Sequence, residues 1–341
     1  MSSMATDKSS EMDECKRNLL YLSKLDTRLG NWMGDLPPRL YNAPLKNLAI
    51  PGTHDSASVY LDITSDISPG EIKTIKDIID SLAKIPSLGL EQIGKDVVYN
   101  WAVTQGSDFT EQLENGVRYF DLRVATGKSD SSLYFVHGLY GSKVESGLRE
   151  IAEWLHSHPK EVVLLDFQHL YFGEKPQDEN MITILKNTFG SMLCPKAIKG
   201  NAVDVTLANL WDNRYQVIVF YANEVAVTGH DILWTDKTYI YSPWANTPDI
   251  SILINTFLDN ESRKGSKFFV SQAILSPDTA TILFHLCGNL KGKLAIPAMP
   301  KILHWLEGKK AGYGSSGLNI VIADFVDREF AQTVIKLNYP V

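Results

Sequence analysis

The sequence predicts an α/β protein of the (β/α)8 TIM-barrel class, built as a single domain. Three observations carry that expectation. Eight short runs are rich in apolar and β-branched residues, longer helical patterns lie between them, and 341 residues suit one large barrel. Strands buried on both faces read as nearly continuous apolar runs, and their alternation with helices implies a parallel sheet.

In chain order, residues 1 to 30 are polar at first and then carry a short helical pattern that stops at Gly30 and the Pro37-Pro38 pair. They are set apart as an N-terminal extension, and residues 31 to 341 are assigned to the barrel. The eight strand-like runs are Leu45 to Ile50, Val117 to Val124, Leu133 to Val136, Val162 to Phe167, Gln216 to Tyr221, Thr238 to Tyr241, Phe268 to Gln272 and Asn319 to Phe325. Helical spacing covers Val144 to His156, which ends at His158-Pro159, and Ala298 to Glu307, where Pro300 falls in the first turn and is tolerated. The first connection, Ser56 to Glu114, is long enough for two helices.

Composition narrows the function. Hydrophobic residues make up 44% and charged residues 21%, which is enough apolar material for a sizeable core. A net charge of -7 argues against a nucleic-acid partner, because phosphate contacts need an excess of lysine and arginine. Cys15, Cys194 and Cys287 are too few and too scattered for a disulfide framework or a zinc cluster. The N-terminus lacks the pattern of a signal peptide, and no uninterrupted apolar run reaches the ~18 residues of a membrane span. A cytoplasmic protein without a transmembrane segment is expected.

In a barrel, polar residues at the C-terminal ends of strands mark the active site. The first run leads into Pro51-Gly52-Thr53-His54-Asp55-Ser56, where glycine permits a tight turn and delivers a histidine beside a carboxylate. Asp121 and Arg123 lie on the second run, His137 ends the third before Gly138, Asp166 and Gln168 mark the fourth, and Asp324 ends the eighth. Any one of these is most simply a structural polar group. Together, two histidines, an arginine and several aspartates on one rim form the mixed acid, base and cation cluster that phosphoryl chemistry requires.

The segments Ile50-Pro-Gly-Thr-His-Asp-Ser-Ala-Ser58, Gly116-Val-Arg-Tyr-Phe-Asp-Leu-Arg-Val124 and Tyr134-Phe-Val-His-Gly138 resemble the X-domain signatures of phosphatidylinositol-specific phospholipases C. Val162 to Gln168, Pro243 to Thr247, Val270 to Leu275 and Ala323 to Asp327 resemble the small X domain-containing subgroup of that family. The resemblance runs in order from about Trp32 to about Leu337.

The resemblance implies a phosphodiesterase acting on phosphatidylinositol-type lipid at a membrane surface. The inositol 2-hydroxyl attacks phosphorus and expels diacylglycerol, leaving a cyclic inositol phosphate. His54 resembles the general base, oriented by Asp324, and His137 the general acid, partnered by Asp55. Arg123 would stabilise charge on the phosphate oxygens. Calcium-requiring members resemble this chain but carry asparagine after the first histidine and an acidic ligand where Arg123 stands. No metal and no other cofactor are therefore expected. Asp121, Asp166, Gln168, Tyr221, Trp244 and Gln272 are the candidates for holding the head group.

Gly312-Tyr-Gly-Ser-Ser-Gly317 has dinucleotide-loop spacing but precedes a strand, so it is read as a turn. Two alternatives remain open at this stage: a barrel that binds phosphoinositides or a protein with little turnover, and a metal-dependent glycerophosphodiesterase.

Overall fold

The strands follow one another as β1 (Ile50–Thr53), β2 (Tyr119–Thr126), β3 (Leu133–His137), β4 (Leu139–Lys143), β5 (Val163–Tyr171), β6 (Val217–Tyr221), β7 (Leu233–Thr235), β8 (Ile240–Tyr241), β9 (Phe268–Gln272), β10 (Lys310–Ala311), β11 (Gly317–Leu318) and β12 (Ile320–Ala323). Eight of them pair side by side, all parallel, in the order β7-β6-β5-β2-β1-β12-β9-β8. This is a (β/α)8 barrel, closed except between β7 and β8, where the one-turn helix Asp236–Tyr239 intervenes. The computed structural model describes residues 28–71, 77, 90–173, 177–198, 204–261 and 263–339.

The helices are α1 (Leu90–Ala102), α2 (Phe109–Glu114), α3 (Val144–Ser157), α4 (Asp178–Phe189), α5 (Leu207–Asn213), α6 (Glu224–Gly229), α7 (the turn at Asp236–Tyr239), α8 (Thr279–Phe284), α9 (Ile296–Glu307) and α10 (Arg328–Lys336). Because side chains alternate along a strand, each barrel strand feeds two separate cores. Tyr119, Leu164, Ile218, Phe220, Phe268, Val270, Ile320 and Ile322 fill the barrel. Their neighbours Phe120, Leu165, Val219 and Val321 pack outward against the helices. Gly52 is required by this inner packing, since a Cβ there would lie 2.8 Å from the Tyr119 ring and 2.9 Å from Ile322.

The N-terminal ends of the strands are sealed by residues 29 to 48, with Leu29, Trp32, Met33, Leu36 and Leu45 buried. One ion pair holds that seal. Arg118, fully buried before β2, donates from Nε and Nη2 to Glu161 Oε2 at 2.9 and 2.7 Å and also reaches the carbonyls of Gly30 and Leu113. Glu161 in turn accepts the backbone N–H groups of Met33 and Gly34.

Three expectations are corrected. Leu133 to Val136 is not a barrel strand: β3 pairs antiparallel with β2 and with β4 as a hairpin outside the barrel. Residues 127 to 132 are too few for a parallel crossover, which needs about a dozen residues. The missing barrel strand is β7, only three residues long between two short helices. The first strand lies at Ile50–Thr53, with a 3-10 turn at Leu45–Asn47 in place of its expected start. Leu29 and Gly30 are buried in the seal; the helix expected before them lies outside the described residues.

Removing Glu161 leaves a buried guanidinium without its counter-charge. Glu161→Ala is expected to lower stability by about 3–5 kcal/mol, read by chemical denaturation. A loss within the scatter of exposed-site variants would show that this ion pair does not hold the seal.

Candidate active site

The C-terminal mouth of the barrel gathers five of the residues singled out above. β1 ends at Thr53 and delivers His54 and Asp55, β2 points Arg123 inward, and β12 ends at Ala323 and delivers Asp324. His137 is the last residue of β3 and reaches the same mouth from the hairpin.

Asp55 is the hub. Its Oδ2 lies 3.0 Å from His54 Nε2 and 3.0 Å from His137 Nε2, and its Oδ1 lies 2.6 Å from Arg123 Nε. The carboxylate is almost fully buried, and its backbone takes φ 40°, in the left-handed region that costs a non-glycine residue about 1–2 kcal/mol. Two bonds hold it there: the Asp55 N–H donates to Asp121 Oδ2 at 3.2 Å, and the Ser56 N–H to the Asp121 carbonyl at 2.9 Å.

Each histidine has its second nitrogen engaged. His54 Nδ1 is 2.7 Å from Asp324 Oδ1, and His137 Nδ1 donates to the Ala102 carbonyl at 2.6 Å. Nε2 is thus the working nitrogen of both rings, whose centroids are 5.9 Å apart. Burial pushes His54 toward its neutral form, but the Asp55 and Asp324 carboxylates outweigh it and hold its pKa well above the usual value. Burial alone would raise Asp55; Arg123, His137 and His54 reverse that and hold it well below the ordinary carboxylate range.

His54, His137, Arg123 and Asp324 line a cleft of about 270 Å3. Val97, Val98 and Trp101 of α1 also line it, with Leu275, Ile282 and Leu290, so much of the lining is apolar. The cleft thus combines charged groups with apolar side chains.

A pattern for the family described as "Phosphatidylinositol-specific phospholipase C, X domain" matches residues 98–222. The chain is 40% identical over 322 residues to "PI-PLC X domain-containing protein 3" of Mus musculus, covering 93% of this chain and 95% of the relative. The chain belongs to the PI-PLC X domain-containing family. It is also 36% identical over 324 residues to "PI-PLC X domain-containing protein 1" of Homo sapiens, covering 93% and 95%. Among solved structures it resembles the phosphatidylinositol-specific phospholipase C of Listeria monocytogenes, with a TM-score of 0.61 at 20% identity over 92% of this chain and 99% of that one. A Staphylococcus aureus phosphatidylinositol-specific phospholipase C gives 0.59 at 17% identity, covering 92% and 99%. At these identities the two structures speak for the fold alone.

The head-group candidates of this family member divide by strand parity. Asp121, Asp166 and Gln272 lie on inward positions below the mouth, with Gln272 Nε2 bonded to Ser242 Oγ at 2.8 Å. Trp244 lines the cleft, 56% exposed, with its indole N–H donating to Ser276 Oγ at 2.8 Å. Gln168 opens on a neighbouring hollow of about 710 Å3 beside His169, Asn223 and Lys237. Tyr221 is not brought to the site. It follows the inward Phe220, so it faces the helices, fully buried, with its hydroxyl donating to Asp178 of α4 at 3.0 Å.

Sequence reasoning did not single out Trp101, Thr104 and Gln105. They lie in what was read as a connector, and nothing in the local pattern points them at a rim about 50 residues earlier in the chain.

His54, Asp55 and Asp121 bring one ligand atom each within 4.8 Å of one another, a spacing that suits a cation. The Arg123 guanidinium and the two histidines already surround Asp55, so that carboxylate has its positive charge supplied by the protein. Burial and the nearby Asp55 charge raise the pKa of Asp121, with Arg123 opposing them. Burial pushes Asp166 up to about 8, the Tyr119 hydroxyl at 2.6 Å opposing it and Asp121 adding to it.

The folded-state pKa of Asp166 exceeds the ~4 of an unfolded aspartate, so its contribution to stability is present below pH ~4 and lost as pH rises toward about 8. Asp166→Asn should raise Tm at pH 8 and leave it nearly unchanged at pH 4. Equal shifts at both values would refute a neutral buried carboxyl at this position.

Proposed function

We propose that the protein is a phosphoric diester hydrolase that cleaves phosphatidylinositol-type phospholipids to diacylglycerol and an inositol phosphate by two-histidine acid–base catalysis. The observation that carries this reading is the pair of Nε2 atoms, from His54 and His137, that converge on one oxygen of Asp55 beside Arg123.

The working nitrogens are close enough to serve the entering and leaving oxygens of one phosphorus. His54 Nε2 takes the proton of the inositol 2-hydroxyl as that oxygen bonds to phosphorus. His137 Nε2 gives its proton to the glycerol oxygen as the phosphorus–oxygen bond to diacylglycerol breaks, leaving a cyclic inositol phosphate. Attack within one molecule removes much of the entropic barrier. Proton transfer of this kind contributes roughly 100-fold to 10,000-fold to the rate. Arg123 supplies a fixed planar cation for the non-bridging oxygens, and charge so placed supports turnover without a catalytic metal. The apolar lining takes the glycerolipid side of the substrate.

Among the described residues no helix is long and apolar enough to cross a membrane. The proposal places the protein in the cytoplasm and has it meet its lipid peripherally, at a membrane surface, a contact with which the fold is compatible.

Release of labelled inositol phosphate from phosphatidylinositol vesicles is expected to survive excess chelator. It should fall by about 100-fold or more in His54→Ala and in His137→Ala. No release with or without calcium would favour a barrel that binds without turnover.

Because the His54 pKa is raised, the base form appears only above the ordinary value of ~6.5. The acid limb of kcat/KM should therefore lie on the alkaline side of that value. Asp324→Asn removes one raising charge, so the limb should move to lower pH as kcat falls. A limb that stays in place would remove His54 from the role of base.

A further inference from the structure

The β1–β12 ladder ends at Thr53↔Ala323, one residue short of the base and the carboxylate that orients it. Its last bond, His54 N–H to the Ala323 carbonyl, is 3.3 Å long. Sheet pairing alone therefore leaves the His54–Asp324 contact to be held by something else. The backbone beyond it turns sharply, since Phe325 takes φ 50° and Asp55 φ 40°.

Gln105, 1% exposed, spans that end of the ladder. Its Nε2 donates to the carbonyls of His54 at 2.9 Å and Ala323 at 3.0 Å, while its Oε1 accepts the Val326 N–H at 3.1 Å. The amide is thus bonded to the residue carrying the base, the residue before Asp324 and the second residue after it. Its own backbone N–H is fixed by Ser58 Oγ at 2.9 Å, and the neighbouring Thr104 carbonyl accepts the Phe325 N–H at 2.6 Å. Three residues earlier, Ala102 holds His137 Nδ1.

We propose that Gln105 is a positioning residue whose side-chain amide sets the distance and angle between the His54 ring and Asp324. This role rests on His54 being the base of the reaction proposed above. A buried amide with every bond satisfied also has a purely structural use, and the two are separable by what its removal disturbs.

The test reads the His54 Nδ1–H directly. In protein labelled with 15N-histidine, that proton, held 2.7 Å from Asp324 Oδ1, should give a downfield resonance that disappears in His54→Gln. Gln105→Met keeps the side chain's length and removes its amide. The His54 proton should then exchange with water about tenfold faster or more. Leu185→Ala opens a cavity in the buried face of α4 and should lower Tm without changing that exchange.

Should the methionine variant fail to fold, Gln105→Glu keeps an acceptor for Val326 but can donate to at most one of the two carbonyls, and acceleration in the same direction is expected. Exchange unchanged in the Gln105 variants, with Tm lowered as in Leu185→Ala, would overturn the proposal. So would the absence of the resonance from wild type. Turnover measured on the same samples separates the two claims: a wild type without activity refutes the reaction, while the exchange rates still decide the role of Gln105.

Discussion

A buried carboxylate is among the most costly groups a barrel mouth can hold, and Asp55 is held there by two imidazoles and a guanidinium. Its negative charge holds one guanidinium and two imidazoles in one small cleft. Without it the two rings would have no common point on which to converge. The arrangement also explains why Asp55 carries a left-handed backbone: an ordinary extended residue after His54 would carry its side chain away from the other two strands.

The two ends of the barrel use buried charge for different purposes. At the N-terminal end, Arg118 and Glu161 satisfy one another and the backbone of the sealing segment, forming a closed network with no place for a ligand. At the C-terminal end the carboxylates of Asp121 and Asp166 each leave an oxygen without a hydrogen bond, and their pKa values are raised in consequence of burial. A closed ion pair at one end and raised carboxylates at the other match the usual division of a barrel into a stabilising face and a working face.

Much of this was legible in the sequence. His54, Asp55, Arg123 and Asp324 follow or occupy strand-like runs, and in a barrel such positions converge whatever the intervening helices do. The hairpin was misread because Leu133 to Val136 is as apolar as a barrel strand. Only the six residues separating it from β2 betray that it runs backwards. β7 was missed because three residues carry no periodicity. Tyr221 was misplaced by one position of strand parity, which an apolar run buried on both faces does not display. Gln105 was beyond reach, since its meaning lies in carbonyl groups about 50 and 220 residues away.

The hairpin has one further consequence. His54 and Asp324 extend from central barrel strands, each paired on both sides, whereas His137 ends a hairpin strand outside the barrel, beyond the last residue paired with β2 and opposite Leu139 of the outer strand β4. Edges open at a smaller free-energy cost than the interior of a sheet. The two histidines therefore belong to layers of unequal depth, His54 to the barrel itself and His137 to the hairpin laid outside it.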